Sequence, residues 1–144
     1  MLPQTRLLAG AAALEQRSRI LDGLRDFNVR TAGPGQWQPL CVAILDDDGQ
    51  VTGGLYGTTA YDWLVIELLF VPEEFRSSGT GSALVEQAES EARGRGCIGA
   101  WLDTFSFQAR GFYEKLGYAV AGTIPDHPVG GARYFLVKRW GAAG

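Results

Sequence analysis

The chain has 144 residues, 46% hydrophobic and 20% charged, which suits one compact domain with a single core, expected over residues 1–144. A net charge of -3 and the lack of a long basic run argue against nucleic acid as a partner. Two cysteines and one histidine are too few for an all-protein tetrahedral zinc site, and the longest apolar runs, WLVI and LLFV split by Glu67, are far too short to cross a bilayer.

The N-terminal stretch MLPQTRLLAGAAALEQ lacks the long apolar core and cleavage site of a signal peptide, so the expected location is the cytoplasm. Cys41 and Cys97 then stay reduced and read as small buried hydrophobes within strands.

In chain order, residues 5–9 (TRLLA) suggest a short first strand. From Ala11 to about Val29, Leu14, Leu21, Leu24 and Asn28 recur at helical spacing, widened by Ile20 and Phe27, with charges opposite: an amphipathic helix. Residues 31–39 read as a loop around Trp37. LCVAILD (40–46) and VTGGLYGTT (51–59), joined by an Asp/Gly turn, predict a hairpin. WLVIELLFV (63–71) is a third strand, ended by Pro72. Leu84, Val85, Ala88 and Ala92 mark one face of a helix over 82–93, stopped by Gly94 and Gly96. A strand at 97–103, a helix at 107–116 and strands at 118–123 and 133–139 complete the chain. A strand–helix–strand passage implies a parallel crossover and the hairpins imply antiparallel pairs. The fold class is therefore α/β, a mixed, mostly antiparallel central sheet with helices on both faces.

The segment FRSSGTGSAL (75–84) lies between a strand and a helix. Ser77, Ser78, Gly79, Thr80, Gly81 and Ser82 are all small, so the backbone can approach an anion closely. The unpaired N–H groups of the first helical turn then face it, with the helix dipole behind them. Arg76 can add a charge-assisted contact to the same diphosphate. No Lys follows Gly81, which excludes a Walker loop, and Leu84 occupies the third position of a dinucleotide fingerprint.

R-S-S-G-T-G resembles the R/Q-x-x-G-x-G/A signature of the GNAT N-acetyltransferase superfamily. FQARGFYEKLGY (107–118) is similar to that family's A-x-x-[FL]-Y-E-K-[LC]-G-[FY] segment, in the right order and about thirty residues on. The resemblance covers roughly residues 40–139. It implies a GNAT fold in which the strands at 63–71 and 97–103 splay apart around the pantetheine arm of acetyl-CoA. It also implies acyl transfer to an amine acceptor by direct attack in a ternary complex, with no metal. A homodimer is a common state in the family.

By the same resemblance, main-chain groups of Phe70 and Val71 bind pantetheine, and Tyr113 protonates the leaving thiolate. Packing against the sheet is the other reading of Tyr113. Glu67, in an apolar strand, either takes a proton from the substrate ammonium, pairs with an Arg, or points outward at the sheet's edge. Ser106 stands where many members have Asn, and its hydroxyl has less reach for a pantetheine amide. Asp103 and Thr104 either face the acceptor cleft or cap the next helix. His127 reads as a solvated loop residue, and Trp37 and Trp63 as core or as walls of the acceptor pocket. The departure at Ser106 leaves open a second class, a CoA-binding regulatory module without catalysis. A third is an anion-binding protein with no preference for CoA.

Overall fold

A computed structural model describes residues 1–141. The chain divides into two compact units, Met1–Gly35 and the stretch from Gln36 onward. The first holds α1 (Gly10–Ala32), which is longer than the apolar spacing suggests and buries none of its residues. Leu14, Ile20, Leu24 and Phe27 are exposed along it. Residues 5–9 form no strand. A strand needs a neighbour to take up its backbone groups, and Leu7 and Leu8 are exposed.

The second unit begins with the expected hairpin, β1 (Gln38–Leu45) and β2 (Val51–Ala60). Its turn is closed by Asp46, whose Oδ1 accepts the N–H groups of Asp48 and Gln50, both at 2.9 Å. Strand β3 (Trp63–Phe70) pairs antiparallel with β2, then α2 (Thr80–Gly94) carries the chain across to β4 (Gly99–Phe105), parallel to β3. After the short helix α3 (Arg110–Lys115), β5 (Ala119–Pro125) forms an edge and β6 (Ala132–Arg139) inserts between β4 and β5. The sheet order is β1-β2-β3-β4-β6-β5, with β3–β4 its parallel pair.

The core forms where α2 lies on the sheet. Leu84, Val85, Ala88 and Ala92, the face picked out by helical spacing, are buried with Leu55, Leu64, Leu102 and Leu136 of the strands. Each such leucine stabilises the fold by about 2 kcal/mol. Alternation along β1 buries Leu40 and turns Cys41 outward, so of the two cysteines Cys97 alone is buried. Helix α3 is shorter than expected. The Gln108 Oε1 accepts the Phe105 N–H at 2.8 Å and the Thr104 hydroxyl at 3.1 Å, which holds residues 105–108 in a turn before the helix begins. Among the described residues no helix is long and apolar enough to cross a membrane.

Candidate active site

The site begins with a register shift. Gly57 of β2 faces Ile66 of β3, but the preceding Tyr56 faces Leu68, so Glu67 is an extra residue with no partner on β2. Such a bulge bends its strand and increases the local twist. Gly57 is required there, because a Cβ would stand 2.3 Å from the Val65 carbonyl oxygen. On the opposite side, β3–β4 pairing stops at Ile66–Leu102, although β3 runs on to Phe70 and β4 to Phe105. From Glu67 and Asp103 onward the strands part, and a cavity of about 890 Å³ fills the gap. Phe70 and Val71 line it from the β3 side, Asp103 and Thr104 from β4, and Tyr113 from α3.

The cavity also reaches the loop that leads into α2. Arg76, Ser77, Gly79, Thr80, Gly81 and Ser82 line it. Gly79 sits just before α2 with φ 85°, a left-handed conformation that suits glycine. No side chain caps the helix and its first turn holds no acid, so the positive end of the dipole meets the cavity uncompensated. Gly81 lets the helix approach α3: a Cβ there would lie 3.1 Å from the Phe112 ring. The Arg76 Nε donates to the Val71 carbonyl at 3.0 Å, joining the loop to the end of the splayed strand. Ser78 is not part of the lining; its hydroxyl turns to the Phe75 carbonyl and lies 2.8 Å from the Thr80 hydroxyl.

β3, β4 and α3 add further titratable groups to the lining: Glu67, Asp103 and Tyr113. Tyr113 is buried, at 7% exposure, and desolvation pushes its phenol up to about 12, so it remains an O–H donor. Glu67 is exposed and lines the cavity, and its Oε2 accepts the Thr58 hydroxyl at 2.9 Å. The bulge explains why an acid is tolerated in this apolar strand: it lifts Glu67 out of the ladder instead of burying it. Asp103 is held by Arg133 through contacts of 2.6 and 2.9 Å. Thr104 is buried and turned toward Gln108.

Ser106 is the predicted site residue whose chemistry is used elsewhere. Its Oγ accepts the Ala132 N–H at 3.0 Å, and it does not line the cavity. Trp37 and Trp63 also lie outside the lining. His127 is half-buried, edge-on to Phe105 and 3.3 Å from Arg133, rather than solvated. Phe107 and Gln108 line the cavity without having been singled out as ligand-facing. No local pattern marks them, because each is brought there by the turn that Gln108 itself closes.

A splayed parallel pair, an uncapped helix start and a buried phenol meet at one cavity. Residues 14–118 match the model of the acetyltransferase (GNAT) family, and the chain belongs to that family of acetyltransferases. It is 39% identical over 134 residues to acetyltransferase Atu2258 of Agrobacterium fabrum, an alignment spanning 93% of this chain and 98% of that one. It is also 39% identical over 125 residues to the blasticidin-S acetyltransferase of Streptomyces morookaense, spanning 86% of this chain and 90% of that one. Among solved structures, an acetyltransferase from Bacillus cereus superimposes with a TM-score of 0.80 at 30% identity, covering 94% of this chain and 97% of that one.

Proposed function

We propose that this protein transfers the acetyl group of acetyl-CoA to a primary amine of a small molecule, by direct attack with both substrates bound. The observation that carries the reading is the single cavity that joins the anion-binding start of α2 to Tyr113 and Glu67. First-turn amides of α2 and the Arg76 guanidinium would hold the diphosphate, and main-chain groups of Phe70 and Val71 would pair with the pantetheine arm in the gap where β4 has left β3. The donor supplies the activated thioester.

Glu67 takes a proton from the incoming ammonium, directly or through water, which frees the nitrogen lone pair to attack the carbonyl carbon. Backbone N–H groups at the end of β3 stabilise the negative charge on the carbonyl oxygen. As the carbon–sulfur bond breaks, the attacking nitrogen gives its surplus proton to water, and Tyr113 gives its phenolic proton to the sulfur and regains one from solvent. A small amine acceptor accords with the name of the Streptomyces relative.

Calorimetric titration with acetyl-CoA, CoA and ADP tests the donor site. Micromolar binding of acetyl-CoA, tighter than ADP, is the expected result. Equal affinity for all three diphosphates would leave an anion-binding protein. An amine panel that includes blasticidin S, read by thiol release, tests transfer, and donor binding without release on any amine would favour a non-catalytic CoA-binding module.

A further inference from the structure

Glu89 is a carboxylate that the reaction above does not use. It lies on α2 at 3% exposure. Its Oε2 accepts the Tyr118 O–H at 2.9 Å, its Oε1 accepts the Lys138 Nζ at 2.8 Å, and Arg93 Nη2 stands 3.9 Å away. Taking such a charge out of water is costly unless it is paired and hydrogen-bonded, and a buried ion pair as a whole adds little stability beyond what an apolar cluster would provide. What hydrogen bonds supply that apolar contacts do not is direction.

That direction ends at Tyr113. Tyr118 touches Tyr113 twice. Its N–H donates to the Tyr113 carbonyl at 3.1 Å, and its ring meets the Tyr113 ring edge-on at 6.0 Å and 72°. Helix α3 has six residues, too few to hold a fixed orientation unaided. The placement of Tyr113 therefore depends on Tyr118, and Tyr118 is fixed at its far end by Glu89. Burial and the adjacent Glu89 push the Tyr118 phenol well above its ordinary range, which keeps it a donor to that carboxylate.

We propose that Glu89 and Tyr118 are positioning residues that aim the Tyr113 phenol at the leaving sulfur of the donor. The inference rests on the reading of Tyr113 as the acid. Its test uses bound CoA, so it needs no acceptor. A phenol aimed at the sulfur donates to the thiolate and lowers the pKa of the bound thiol. That pKa is read from the ultraviolet absorbance of the thiolate, with the desulfo-CoA complex as blank.

Tyr113→Phe should raise the thiol pKa by roughly 1, and Tyr118→Phe and Glu89→Gln should each raise it by a similar amount. The dissociation constant of CoA at neutral pH should stay within about twofold of wild type. In a Tyr113→Phe background, neither change should shift the thiol pKa further. A merely structural role would shift it in both backgrounds, which would overturn the proposal. A shift with Tyr113→Phe and none with the other two would overturn it and leave the acid reading standing. No shift with Tyr113→Phe would remove both. Should Tyr118→Phe not fold, Glu89→Gln carries the test, since it keeps the volume and one acceptor oxygen.

Discussion

Ile66 and Leu102 are the last pair joining β3 to β4, and the next residue of β3, Glu67, is the bulged one. The cleft is thus a property of strand geometry, made by one additional residue on β3 and the glycine opposite. Gly57→Ala would force a methyl group against the Val65 carbonyl. The expected result is a loss of about 2 kcal/mol or more in urea unfolding, with weaker acetyl-CoA binding. Wild-type stability and affinity in this variant would show that the bulge does not need Gly57.

Tyr113→Phe removes one oxygen and keeps the ring that packs on Phe112 and Tyr118. Turnover should fall about 10²-fold while the affinity for CoA is unchanged. Stopped turnover together with lost affinity would point to packing instead of proton transfer.

Arg76 combines a hydrogen bond to Val71 with a position on the cavity-lining loop before α2. Arg76→Met should weaken acetyl-CoA binding about tenfold or more by calorimetry, through the lost charge-assisted contact. With acetyl-pantetheine, which has no diphosphate, any remaining loss measures the tie to Val71. Equal affinity of variant and wild type for acetyl-CoA would take Arg76 out of the site.

Both buried phenols titrate higher in the folded chain than the value near 10 expected when unfolded. As pH rises, the unfolded chain releases these protons first, so deprotonation favours unfolding. Their contribution is intact below about pH 10 and is lost, for Tyr113, as the pH climbs through about 12. Urea midpoints between about pH 8 and about pH 11 should fall more steeply for wild type than for Tyr113→Phe. Parallel slopes would contradict the burial of this phenol.

What the sequence revealed of the site was what local chain geometry controls. The glycines at 79 and 81 and the arginine ahead of them shape a loop from a few consecutive residues, and the buried face of α2 follows from helical spacing. Two features depend on partners far along the chain and left no such trace. The Ser106 hydroxyl is taken by Ala132, and Asp103 is neutralised by Arg133, contacts that exist only because β6 inserts beside β4. The bulge at Glu67 was equally hidden: WLVIELLFV reads as unbroken strand, and the extra residue shows only when β2 is laid beside it. The expected strand at 5–9 failed for the converse reason, having apolar residues but no neighbouring strand.

Gly81 and Phe112 have a consequence for how the two ends of a long donor are sensed. The ring beside Tyr113 rests against the first turn of α2, where the tail of the donor would be gripped. Under the proposed function, head and tail of the donor would thus report to groups joined through the Phe112 side chain. If the nucleotide is held at that turn and Tyr113 is the acid, binding energy gained at the unreactive nucleotide would be delivered next to the breaking bond, where it can set the alignment of the reacting groups instead of simply retaining the substrate. A shortened donor loses rate as well as grip in such an arrangement, and a bulky residue at position 81 would separate the two effects.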